Sequence, residues 1–155
     1  MAPRAARRYQ RRAERSDART RGRIRVLDAN FLIDYLSGIQ ATREYYAANG
    51  GDDETWIIPA PAYAETIVGV GNHPDGDVDE TIAALGWGEV VSVDDDLAET
   101  AARIADEIEP GGPYLDGVDG LVAAVGREWG APVVSADSDL THEETKRVVA
   151  VEEYR

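Results

Sequence analysis

The chain has 155 residues, with 30 Asp plus Glu against 16 Lys plus Arg, a formal net charge of -14 and a sequence pI near 4.4. That length suits one α/β domain, and 43% hydrophobic residues suffice for a buried core, which excludes wholesale disorder. With no Cys, thiol nucleophiles, disulfides and Cys-based metal sites are excluded, and His73 and His142 are too far apart for a His-based zinc motif, so any chemistry runs mainly on carboxylates.

The first 25 residues hold ten Arg against Glu14 and Asp17, and the remainder holds six basic residues against 28 acidic ones. Residues 1–22 are read as a basic, disordered extension, with an arm that grips RNA or a partner as the alternative; residues 23–155 are read as one domain. The acid-rich, lysine-poor body has a haloarchaeal-like, halophilic composition. In such a setting a Debye length of about 3 Å at 1 M salt would screen its repulsion for nucleic acid. No apolar run approaches the length of a membrane span. Arg23-Ile24-Arg25 leads directly into Val26-Leu27-Asp28 without an apolar signal region, so a cytoplasmic location is the default.

Candidate strands are 24–28, 56–59, 89–93, 132–136 and 148–152. Helical spacing covers about 29–37, 40–49, 61–70, 78–85, 95–109 and 117–129, with breaks at Gly50-Gly51, Gly71 to Pro74, Gly86, Pro110 to Pro113 and Gly130. One of Asp94 to Asp96 is placed to cap the fifth helix. Strands separated by helices imply an α/β fold, a parallel sheet covered on both faces.

Two acids fall at strand ends. Asp28 closes the strand Arg25-Val26-Leu27, and Asp137 follows Val133-Val134-Ser135-Ala136. Ligands of open parallel sheets bind beyond the carboxyl ends of the strands, so both carboxylates reach one rim. Glu65, one turn into the helix after the second strand, and Asp119, in the first turn of the small apolar helix before Asp137, are aimed at the same rim. Two bare carboxylates about 4 Å apart repel by roughly 4 kcal/mol at an effective dielectric near 20. Such a group therefore needs protons or a divalent cation. Oxygen-only ligands favour Mg²⁺ or Mn²⁺, ions suited to phosphodiester hydrolysis.

Val26-Leu27-Asp28-Ala29-Asn30-Phe31-Leu32, Glu65, Asp119-Gly120-Leu121-Val122-Ala123-Ala124 and Val133-Val134-Ser135-Ala136-Asp137-Ser138-Asp139-Leu140 together resemble the PIN domain, and within it the small VapC-type toxin ribonucleases. The resemblance spans about residues 24–152. It implies a three-layer α/β/α fold with strand order 3-2-1-4-5. It further implies a Mg²⁺- or Mn²⁺-dependent endoribonuclease, dimeric and restrained by a cognate antitoxin, with RNA as substrate. Asp28, Glu65, Asp119 and Asp137 match the family's acidic quartet, Asn30 and Ser135 its orienting polar residues, and Asp139 an accessory acid. Thr66 and Gly120 depart from the family pattern, the glycine being expected to loosen the helix start, and the body's few cations leave RNA grip the least supported feature.

Plainer roles stay open for these residues. Asp28 can cap the helix that follows it, Glu65 can be solvated, and Asp119 can favour the helix dipole. Asp116 fits an N-cap and is the reserve ligand should Asp119 face away. Asp139 reads as a surface residue before a ligand. Two further functions compete, an RNA-processing nuclease without an antitoxin and a non-catalytic module or phosphoacceptor. The phosphoacceptor needs a lysine after the last strand, whereas Lys146 precedes it.

Overall fold

The computed structural model describes residues 23–155, so the expectation for the basic extension at 1–22 lies outside the described residues. Five strands are present, β1 (Ile24–Leu27), β2 (Thr55–Pro59), β3 (Glu89–Val91), β4 (Val133–Ser135) and β5 (Val151–Glu153). The helices are α1 (Ala29–Leu36), α2 (Gln40–Ala48), α3 (Ala60–Asn72), α4 (Val78–Ala84), α5 (Asp95–Glu107), α6 (Gly117–Trp129) and α7 (Glu143–Lys146). All pairings are parallel and the order is β3-β2-β1-β4-β5, so the chain reverses its direction of travel across the sheet between β1 and β4.

Residue alternation divides the strands between two cores. Val26, Ile57 and Val133 share register and face α5 and α6, where they meet Ile104, Val122, Val125 and Trp129. Leu27, Trp56, Ile58 and Val134 point to the other face, packing with Phe31, Leu32, Leu85 and Tyr154. The result is the expected three-layer α/β/α fold. No helix among the described residues is long and apolar enough to cross a membrane.

Glycines set how closely α6 can lie against its neighbours. A Cβ on Gly126 would come within 2.8 Å of Val133 Cγ2, and one on Gly120 within 3.3 Å of Ala101 Cβ on α5. Gly120, expected to loosen the helix start, is buried and permits close helix packing instead.

Three local features differ from the sequence expectation. A 3₁₀ turn at Gly51–Asp53 follows Gly50 at φ 102°. α7 is an extra short helix whose N-cap is His142, with Nδ1 accepting from the Glu144 N–H. The turn after α7 bonds the N–H groups of Val148 and Val149 to the Thr145 carbonyl, so the last strand starts at Val151 instead of 148.

Arg25, counted by composition with the amino-terminal arginines, is the second residue of β1 and 7% exposed. Its Nη1 lies 3.0 Å from Glu54 Oε1, and its Nε donates to Tyr45 Oη and Glu152 Oε2 at 2.9 and 3.1 Å. The Tyr45 hydroxyl also donates to Glu152. This buried charge is thus matched near the amino ends of the strands, remote from the carboxyl rim.

Candidate active site

Asp28 immediately follows β1 and caps α1, its Oδ1 accepting from the Ala29 N–H at 2.7 Å. It is also 3% exposed, so capping and burial at the sheet rim coexist in one residue. Its Oδ2 accepts from the hydroxyl of Ser135, the last residue of β4, at 2.6 Å. Ser135 Oγ in turn accepts the Asp137 N–H at 3.0 Å. One fully buried serine therefore couples the ends of β1 and β4 at the switch point of the sheet.

Beyond β4 the chain folds around Asp137, whose Oδ2 accepts the N–H groups of Asp139 and Leu140 at 2.9 and 3.0 Å. This turn carries Asp139 back towards Asp137. Asp119 arrives from the third position of α6, and Asp116 caps that helix by accepting the Asp119 N–H at 2.7 Å. Asp116 is itself exposed, and its role is that of the cap. Asp119, Asp137 and Asp139 each offer one carboxylate oxygen, and the three oxygens lie within 4.8 Å of one another.

The electrostatics reflect this crowding. The Asp119 carboxyl is pushed up to about 7, first by burial and then by the charges of Asp137, Asp116, Asp28 and Asp139. Asp28 is raised to about 6, chiefly by burial, with Asp137 and Glu65 adding to the rise and the Ser135 and Ala29 hydrogen bonds opposing it. A group that holds protons near neutrality for these reasons also has an affinity for a cation, which removes the same repulsion. The donors are carboxylate oxygens with no nitrogen or sulfur, which fits a hard dication.

Glu65 stands apart from the three-oxygen cluster. It is exposed and lines a groove with Ile33, Leu36 and Val70. Its neighbours Ala62 and Ile67 are buried and half-buried, but Ala64 faces outward with it. The buried stripe of α3 instead runs through Ala62 and Thr66, and the Thr66 hydroxyl is satisfied by the Ala62 carbonyl at 2.9 Å. Glu65 reaches the site through its charge on Asp28.

Asn30 is half-buried and forms no hydrogen bond to Asp28, so the orienting contacts are those from Ala29 and Ser135. Asp139, read from sequence as a surface residue, is half-buried within the cluster. Sequence reasoning missed two threonines. The Thr141 hydroxyl donates to the Asp137 carbonyl at 2.7 Å, and the fully buried Thr145 donates to the Asp139 carbonyl at 2.6 Å. Their spacing from the acids, four and six residues, carries no signal of its own.

Two further acids act as helix caps. Asp77 and Asp94 cap α4 and α5, accepting from Glu80 N–H and Leu97 N–H at 2.9 and 3.1 Å.

The profile of the PIN domain family matches residues 25–145. A toxin-antitoxin complex from Klebsiella pneumoniae contains a chain 18% identical, with TM-score 0.66, covering 84% of this chain and 97% of that one. VapBC2 from Rickettsia felis, bound to a DNA fragment from their promoter, gives 16% identity, TM-score 0.67 and coverage of 84% and 98%. VapC20 from Mycobacterium tuberculosis, a Sarcin-Ricin loop cleaving toxin, gives 17% identity, TM-score 0.57 and coverage of 81% and 96%. At these identities the likeness is one of fold. No match is found among curated proteins.

Proposed function

The chain belongs to the PIN domain family, and from that premise we propose that it is a Mg²⁺- or Mn²⁺-dependent endoribonuclease, the toxin of a toxin-antitoxin pair, with residues 23–155 as its nuclease domain. The observation that carries this reading is the convergence of Asp119, Asp137 and Asp139 beside Asp28 at the carboxyl rim of β1 and β4. The structural neighbours support the biological setting, since they include VapBC complexes and a toxin described as cleaving the Sarcin-Ricin loop.

In this reading Asp119, Asp137 and Asp139 hold the cation, Asp28 adds charge from the adjoining strand end, and Glu65 supplies an outer carboxylate towards the substrate side. When bound, such an ion supplies Lewis acidity and neutralises charge on the phosphodiester. Ser135 keeps the Asp28 carboxylate oriented by donating to Oδ2 while anchoring the backbone of Asp137. The Asp139 and Leu140 amides hold one Asp137 oxygen, fixing where the other can point. Asp116 fixes the start of α6 and with it Asp119. The partners are RNA, a cognate antitoxin and a second copy of the chain.

The test uses the purified full chain, a random-sequence RNA pool and Mg²⁺ or Mn²⁺, from low to molar salt. Cleavage is expected, and Asp28→Asn is expected to abolish it while circular dichroism stays unchanged. A wild type inert with both ions across that salt range overturns the reading.

A further inference from the structure

The described surface has little cationic grip for a polyanion. Of its eight basic residues, Arg25, Arg127, Lys146, Arg147 and Arg155 are already paired with carboxylates. The guanidinium of Arg43 lies over the Tyr35 ring at 5.5 Å. Contacts to phosphate are the usual source of affinity for nucleic acid, and they weaken steeply with salt. In a body this acidic, contacts that do not depend on charge would add to the few cations it has. Stacking of bases on an aromatic ring is such a contact, because every base presents a π-face.

Tyr114 is placed to provide it. The residue is 97% exposed, whereas no other exposed large hydrophobic residue among the described ones exceeds 57%. The other aromatic residues of the described chain lie in the cores or pack against them. Tyr114 is the exception, on the loop between α5 and α6.

That loop is pinned on either side of the ring. Gly111 adopts φ +94°, and a Cβ on Gly112 would meet Ile108 Cγ2 at 2.6 Å and Glu144 Cβ of α7 at 3.2 Å. Two residues after Tyr114, Asp116 holds the Asp119 N–H, and from α7 Thr145 holds the Asp139 carbonyl. Two residues of chain span at most about 7 Å, so the backbone of Tyr114 lies close to the helix start that delivers Asp119 to the cluster. The elements that anchor the loop are those that position the acids.

Resting on the ribonuclease reading above, we infer that Tyr114 is a base-stacking platform that positions a nucleotide flanking the scissile phosphate of single-stranded RNA. The ring, not the hydroxyl, makes the contact, so Phe serves in its place and an aliphatic residue of similar bulk does not. The platform tolerates any base and contributes equally at low and high salt. It acts on binding and register and is a positioning residue.

The test compares the full-length wild type with Tyr114→Phe and Tyr114→Leu. Each is titrated with 2′-O-methylated single-stranded hexanucleotides of the four bases, which resist cleavage, in low and in molar salt. Tyr114→Leu is expected to weaken binding about ten- to hundredfold, the range of aromatic–base stacking, by the same factor at both salts. Tyr114→Phe is expected to stay within about twofold of the wild type. Tyr114 ring protons, observed by NMR on ring-labelled protein, are expected to move upfield on RNA saturation, and cleavage of a random pool to lose KM before kcat. Binding by Tyr114→Leu equal to the wild type overturns the inference, as do ring signals that RNA leaves in place or that move with protein concentration alone, the last marking a contact between copies. If the wild type binds and cuts RNA while Tyr114→Leu matches it, only the platform fails. If the wild type neither binds nor cuts, the ribonuclease reading fails with it.

Discussion

Replacing Asp28 by Asn should stabilise the metal-free protein at neutral pH while removing its activity. Asp28 is 3% exposed, and its carboxyl is raised from 3.8 to about 6, first by burial. A raised folded-state pKa means that the native protein holds a proton which the unfolded chain has already released. Stability is therefore lost as pH climbs from about 4 through about 6, and the loss is complete above that window. From 3.8 to about 6, at roughly 1.4 kcal/mol per pH unit, the charged carboxylate costs about 3 kcal/mol relative to its protonated form. Asn has nearly the same shape, keeps an oxygen for the Ala29 N–H and carries no charge. The Ser135 hydroxyl must redirect its proton, at a cost of about 1 kcal/mol. The net expectation at pH 8 is about 2 kcal/mol of added stability, or roughly 5–8 °C in Tm for a domain of this size. At pH 4 the gain should vanish. Urea denaturation of both proteins in EDTA at pH 4, 6 and 8 measures the difference directly. Saturating Mn²⁺ at about 100 times its Kd should stabilise the wild type by about 2.7 kcal/mol and the variant by less. A difference between the two proteins that is the same at pH 4 and pH 8 would refute the claim that burying this charge costs stability.

Other substitutions probe separate parts of the same construction. Asp139→Asn should weaken Mn²⁺ binding by at least about tenfold in calorimetry, because Asp139 supplies one of the three clustered oxygens. Ser135→Ala removes a bond that lowers the Asp28 pKa, so the acid limb of the pH–rate profile should move to higher pH, with a stability cost of about 1–3 kcal/mol. Arg25→Met leaves Glu54, whose side chain is 4% exposed, without its ion-pair partner; chemical denaturation should show a loss of about 3–5 kcal/mol. The turnover of the folded fraction should stay unchanged, since the network lies away from the carboxyl rim.

Much of this protein is written in short-range patterns. The alternation in β1 and β2, the helical spacing of Leu97, Ala101 and Ile104, and caps such as Asp94 and Asp116 are decided by residues a few positions apart. Such interactions depend on backbone geometry that every chain shares, so they can be read without coordinates. The placement of Asp28 and Asp137 at strand ends follows from the same patterns, as does the parallel sheet that carries both to one rim.

Tertiary packing decided what happens between those elements. α3 packs through Ala62 and Thr66, which leaves Glu65 outward with Ala64, and the turn around Asp137 brings Asp139 into the cluster, although both acids look alike in sequence. Arg25 belongs to a buried ion network because Glu54, just before β2, and Glu152, in β5, approach it, which composition cannot reveal. Thr145 holds Asp139 only because the unpredicted α7 folds back on that loop. Local pattern sets each residue's type of environment, but the distance between two side chains far apart in the chain depends on how whole layers pack, and a change of a few ångströms separates a ligand from a surface acid.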